Sequence, residues 1–228
     1  MTIPMAASPH FGSGDGAPYE SALRVGGGML RLVDHDGARE VPVELARFLA
    51  AADDADRSVL ERAEGTVLDV GCGPGRMVRA AIVAGHLSLG VDVSDAAVAH
   101  AHAQGLPVLN RSVFDVIPRE GEWDTALLLD GNIGIGGDPS ALLARCAELV
   151  RPGGSLLVEG HVDPLCDRGF SATLIDEEGH TSLPFPWYEI GSAGLRRLAP
   201  LSGLDVIEGW TLGGRSFVLM QREPTRAW

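Results

Sequence analysis

The sequence predicts an α/β fold: a doubly wound, mainly parallel sheet with helices on both faces and an antiparallel hairpin at its C-terminal end. Three observations predict it. Short apolar runs alternate with helical segments from Thr66 to Glu159. The helices are punctuated, by Gly85 and Gly105 at their ends and by Asp138-Pro139 at a start. The last two apolar runs are joined by Gly213-Gly214 instead of by a helix, which is hairpin chemistry.

In chain order, residues 1–20 are rich in Gly, Ser, Pro and Ala with neither a basic start nor an apolar segment, and read as a flexible leader before a single domain over 21–228. Met29 to Val33 and Ala38 to Val43 flank the turn His35-Asp36-Gly37 and predict a small accessory hairpin. Asp53 to Ala63 predicts a short helix stopped at Gly65, so a preamble of about 29–64 precedes a core of 65–228. The core then runs as strand 66–70, helix 76–84, strand 87–93, helix 95–104, strand 107–110, strand 124–129, a helix from Asp138 to Val150, strand 155–159, and the terminal strands 204–210 and 216–221. A long connection that includes Leu183 to Tyr188 precedes the terminal hairpin.

Composition excludes several classes. With 18 basic against 31 acidic residues the formal charge is −13, and such a surface repels a phosphate backbone, so nucleic acid is not the expected partner. Cys72, Cys146 and Cys166 form neither a C-x-x-C pair nor an even framework, which fits a reducing cytoplasm and predicts no structural metal. His100 and His102, two apart, fall on different sides of a helix and suit no metal pair. No apolar run approaches a membrane span.

The most informative segment is Val67-Leu-Asp-Val-Gly-Cys-Gly-Pro-Gly-Arg76, a strand that ends in glycines at 71, 73 and 75. A dinucleotide fingerprint beginning at Gly71 needs a glycine at 76, where the chain has Arg76. Asp92 closes the next strand, 21 residues after Gly71, where an acid accepts both hydroxyls of a ribose. With this G-x-G-x-G loop behind an acid, the sequence resembles the class I S-adenosylmethionine-dependent methyltransferases, whose sheet has seven strands with the last inserted antiparallel. Arg151-Pro-Gly-Gly154 also resembles a turn common in that family.

The resemblance implies S-adenosylmethionine as cofactor and S-adenosylhomocysteine as product. It implies that Asp69 serves the methionine amino group, that Gly71, Cys72, Gly73 and Gly75 form the cofactor loop, and that Asp92 and Val93 follow on the second strand. It further implies that Phe114 and Asp115 meet the adenine, and that the segment around Asp130 meets both methionine and methyl acceptor. Asp130 and Asn132, polar groups at a switch-point crevice, are candidates for catalysis and for substrate binding respectively. The segment Asp130-Gly-Asn-Ile-Gly-Ile-Gly-Gly137 has neither the His-rich stretch of many small-molecule methyltransferases nor the Pro-Pro-aromatic motif of amino-methylating nucleic-acid enzymes, which leaves the acceptor atom open. His161, after the fifth strand, is a candidate general base or an ordinary loop histidine. Phe185 and Trp187, in Leu183-Pro-Phe-Pro-Trp-Tyr188, form either a substrate wall or a packed connection, and Tyr19 either a lid over the cofactor or part of the leader. The expected function is methyl transfer to a small molecule, in secondary metabolism. A protein methyltransferase, a non-catalytic cofactor-binding module and a nicotinamide enzyme are the alternatives, and Arg76 weighs against the last.

Overall fold

The structure, a computed structural model, describes residues 10, 11, 13, 18–35, 37 and 39–224. In chain order its elements are α1 (Pro18–Val25), β1 (Met29–Asp34), β2 (Glu40–Glu44), α2 (Leu45–Leu49), α3 (Asp54–Leu60), β3 (Val67–Val70), α4 (Arg76–Val83), β4 (Ser88–Asp92), α5 (Asp95–Ala103), β5 (Val108–Asn110), β6 (Trp123–Leu128), α6 (Pro139–Leu149), β7 (Val150–Gly160), β8 (Asp167–Ile175), β9 (Phe185–Ile190), α7 (Ser192–Leu198), β10 (Leu204–Leu212) and β11 (Arg215–Arg222). Short 3-10 turns lie at Asn132–Gly137 and Ala199–Ser202. Among the described residues no helix is long and apolar enough to cross a membrane.

Seven strands form the main sheet in the order β10-β11-β7-β6-β3-β4-β5, in which β11 alone runs antiparallel to its neighbours. All four residues of β3 are buried, as a central strand covered on both faces requires. Alternation then sorts the core. Leu68, Val70, Ala126, Leu128, Leu156 and Val158 face α6 and α7, while Val67, Leu127, Leu157 and Phe217 face α3 and α4. The terminal hairpin turns through Gly213 and Gly214, both at positive φ, and Trp210 stacks on Phe217 across it. The expected sheet and its C-terminal hairpin are therefore present.

Two expectations change. The N-terminal hairpin β1-β2 is not a free accessory: β1 also pairs with β8, and β8 with β9, giving a second, antiparallel sheet in the order β2-β1-β8-β9. The long connection expected before the terminal hairpin thus contains β8, β9 and α7. The leader boundary also moves. Pro18 to Glu20 form the first turn of α1, which buries Tyr19 and Leu23, whereas 1–9, 12 and 14–17 lie outside the described residues. Tyr19, Leu23, Leu30, Leu32, Leu45, Leu174, Phe185 and Trp187 share an apolar cluster with Ala97 of α5, which seats the second sheet against the main domain. In that position β9 packs on the Asn132–Gly137 turn beyond β6 and closes over the carboxyl ends of the parallel strands.

Candidate active site

Strand order reverses at β3, with β4 on one side and β6 on the other, and this is where an open α/β sheet offers a crevice. A cavity of about 600 Å³ occupies it. Asp69, Gly71, Cys72, Gly73, Asp92, Val93, Phe114, Asp115, Asp130, Asn132, Trp187 and Tyr19 all line it, so most of the residues singled out from sequence come together. Gly75 does not. It caps α4 at φ 90°, with Leu106 against the place a side chain would take.

The loop after β3 is built for close approach. Gly71 has φ 69° and Gly73 has φ 52°, a region that costs other residues energy. A Cβ on Gly71 would lie 2.7 Å from the Asn132 amide, and one on Gly73 would lie 3.3 Å from the Tyr19 hydroxyl. Asp92 holds the loop from β4: its Oδ2 accepts from Gly73 N at 2.8 Å and its Oδ1 from Ser94 N at 2.8 Å. Each oxygen keeps a second lone pair for a ligand hydroxyl. Burial pushes the Asp92 carboxyl up, against the downward pull of these backbone hydrogen bonds. Ser94 caps α5, accepting from Ala97 N at 3.2 Å, which leaves Asp92 available for the crevice.

Asp69, 3% exposed, sits at the end of β3. Burial and the like charges of Asp130 and Asp92, with no cation or hydrogen bond to offset them, push its carboxyl up to about 8. A buried acid left without a partner is costly unless a ligand supplies one, and an ammonium would do so. At the other end of the cavity, Ser112 N donates to Asp115 Oδ2 at 3.2 Å, and the Phe114 ring stands half exposed beside the Gly136 backbone.

Asp130 is the residue whose surroundings differ most from expectation. It adopts φ 55°, and its N–H donates to Glu159 Oε2 at 2.7 Å. Its carboxylate meets three guanidiniums, of Arg76 at Oδ2, and of Arg215 at 3.4 Å and Arg47 at 2.9 Å at Oδ1. Arg76 and Arg215 also share Asp56, which is fully buried, and Arg215 pairs with Glu159 at 2.6 Å. With its lone pairs so engaged, Asp130 anchors the turn beyond β6. Asn132 is also committed: its amide donates to Val70 O at 2.9 Å and Gly71 O at 2.8 Å, stapling that turn to the end of β3.

His161 lies outside the cavity lining. Its Nδ1 accepts from Asp163 N at 3.1 Å, and it meets Cys166 and Glu189 within 4.8 Å. Arg39 and Arg168 both donate to Glu189, so a metal ion there would face two guanidiniums. Phe185 is also off the lining. It is 1% exposed and packs behind Phe11 and Trp187, with ring centroids at 5.6 Å and 5.9 Å. Trp187 and Tyr19 do reach the cavity, joined by Phe11, which meets Tyr19 edge-on at 5.3 Å, and by Phe48 of α2. Burial, with Asp92, Cys72 and Asp130 nearby, pushes the Tyr19 hydroxyl well above its usual range and keeps it a neutral donor. Phe11, Phe48, Asp56 and Arg215 carried no motif in the sequence; only the position of Arg76 beside the loop hinted at the ionic network.

Residues 67–154 match the family model described as a methyltransferase domain. No curated protein matches the sequence. Among solved structures, a SAM-dependent methyltransferase from Bacteroides fragilis in complex with S-adenosyl-L-homocysteine is 21% identical with a TM-score of 0.75, over 90% of this chain and 94% of that one. The 1,6-didemethyltoxoflavin-N1-methyltransferase of Burkholderia thailandensis is 17% identical with a TM-score of 0.55, over 75% and 79%. A sugar N-methyltransferase from Streptoalloteichus is 18% identical with a TM-score of 0.55, over 77% and 88%. Residues 67–154 thus match a methyltransferase domain, and the chain as a whole shares the fold of solved S-adenosylmethionine-dependent methyltransferases.

Proposed function

We propose that the protein transfers a methyl group from S-adenosylmethionine to a small-molecule acceptor. The observation that carries this reading is one cavity in which acids at three strand ends face an aromatic wall from the second sheet and α1. Asp69 takes the ammonium of the methionine moiety, the Gly71 to Gly73 backbone passes along it, Asp92 accepts from the ribose hydroxyls, and Asp115 with Phe114 holds the adenine. When bound, the cofactor supplies an electrophilic methyl group on a sulfonium. Tyr19, Phe48 and Trp187, with Phe11, face the remaining space and exclude water from it, and these rigid apolar surfaces orient a flat acceptor against the methyl donor.

Asp130 is held by arginines and His161 lies outside the lining, so neither candidate base from the sequence faces the acceptor end; the one imidazole that lines the cavity among the described residues is that of His10. Alignment is therefore the protein's main contribution, which favours an acceptor that is nucleophilic without prior deprotonation, such as a neutral amine or ring nitrogen. The Burkholderia and Streptoalloteichus neighbours are named for methylation of 1,6-didemethyltoxoflavin and of a sugar, both small molecules. A cytoplasmic location accords with three free cysteines.

Incubation with methyl-labelled S-adenosylmethionine and a fractionated cell extract tests the acceptor class. Label is expected in the low-molecular-mass fraction. Label that enters protein alone would replace the small-molecule reading with the protein methyltransferase alternative.

A further inference from the structure

We propose that Arg47 binds the carboxylate of the methionine moiety of the S-adenosyl ligand, so that α2 supplies the anion-binding group for an otherwise acidic end of the cavity. The inference rests on the S-adenosyl reading above. A methionine moiety carries an ammonium and a carboxylate, and the acids Asp69, Asp92 and Asp130 that line this end suit only the first. The sequence contains no lysine, so any basic side chain that meets the carboxylate is an arginine or a histidine.

The other arginines near the cavity are committed. Arg76 spends Nη1 on Asp56 and Nη2 on Asp130. Arg215 spans Asp56, Glu159 and Asp130. Arg111 donates Nη1 to Val116 O, by the turn that carries Phe114 and Asp115 at the adenine end. His10 lines the cavity on the Asp92 side, where its charge acts on that carboxylate.

Arg47 differs from all of them. Its Nη2 lies 2.9 Å from Asp130 Oδ1 without hydrogen-bond alignment, and both Nε and Nη2 are sealed from solvent with no hydrogen-bond acceptor. Arg47 itself is off the cavity lining and its side chain is 39% exposed, but its neighbour Phe48 and its contact Asp130 both line the cavity, so the guanidinium stands just behind the wall. Asp130 stays paired with Arg76 and Arg215 if Arg47 turns away, so the head can swing from it to an incoming carboxylate at little cost. A planar guanidinium fork matches a carboxylate in two parallel hydrogen bonds, which would satisfy the orphaned donors.

Three ligands that differ by one group test this: S-adenosylhomocysteine, its decarboxylated analogue, and 5′-methylthioadenosine, which lacks the whole amino-acid end. Binding to wild type, Arg47→Ala and Arg47→Gln is measured by calorimetry. Wild type is expected to prefer S-adenosylhomocysteine to the decarboxylated analogue by about tenfold or more. Both variants are expected to lose about 10- to 100-fold in affinity for S-adenosylhomocysteine, the range of a charge-assisted hydrogen bond. They should bind the two ligands without a carboxylate as wild type does, which also reports an intact cavity. An equal loss for all three ligands would make α2 a wall only, and no loss for S-adenosylhomocysteine would remove Arg47 from the site; either result overturns the proposal. Wild type that binds none of the three would overturn the S-adenosyl reading together with it.

Discussion

Asp56→Ala is expected to lower stability by about 3–5 kcal/mol, because it removes the acid shared by two buried guanidiniums. Asp56 is fully buried and accepts from Arg76, from Arg215 at 2.6 Å, and from Asp53 N at 3.0 Å in the capping box of α3. Taking it away leaves buried Arg76 with one of its two carboxylates and removes one from Arg215. For a chain of this size each kcal/mol moves Tm by about 2–4 °C, so Tm should fall by roughly 6–20 °C in a thermal melt. Asp54→Ala in the same helix is the control. Its side chain is 86% exposed and pairs only with Arg57 on the surface, so its effect should stay within about 0.5 kcal/mol. Equal effects of the two substitutions would show that the network is not a buried one.

Asp69→Asn is expected to stabilise the protein at neutral pH while weakening its hold on the cofactor. The folded carboxyl titrates at about 8 against an ordinary 3.8, so it is neutral in the folded protein at pH 7 and ionised in the unfolded chain. Its contribution is therefore fully present below the unfolded value near 4 and is lost as pH rises through the folded value near 8. Asparagine does not titrate. The variant should match wild type below about pH 4, gain on it as pH rises, and lead by roughly 5 kcal/mol near pH 8. Its affinity for S-adenosylhomocysteine should drop by about 10- to 100-fold through loss of the partner for the ammonium. In wild type at pH 7, docking of that ammonium ionises Asp69, so the binding enthalpy should depend on the ionisation enthalpy of the buffer; in the variant this dependence should vanish. Urea titrations across pH and calorimetry in two buffers check both halves. A variant less stable than wild type at pH 8 would contradict the assignment.

Much of the core was legible because each of its elements states its own limits. The strand that delivers Asp69 is a run of apolar residues between Gly65 and Gly71, and helices end at Gly85 and Gly105, so local chemistry is enough. The second sheet was not legible for a physical reason. β8 finds its partner β1 more than a hundred residues away, and its alternation is blurred by partly buried residues on both faces. Pro186 gave β9 the look of a connection, yet it lines the cavity beside Trp187. The ionic network is non-local in the same way: Asp56 and Arg215 are 159 residues apart. That is why Asp130 read as a free acid at a strand end, when in the structure its charge is already spent on arginines. Asp69 and Asp92, which depend only on the strand they end and the loop beside it, both line the crevice.

Calorimetric titration of wild type and of Asp92→Ala with S-adenosylhomocysteine, beside NAD as a control ligand, tests the central claim most directly. The account predicts one site per chain for S-adenosylhomocysteine, no binding of NAD, and a loss of about 1.5–3 kcal/mol in the folded variant, since Asp92 would no longer accept from the ribose hydroxyls. Binding of NAD in place of S-adenosylhomocysteine, or a folded Asp92→Ala with unchanged affinity, would contradict it.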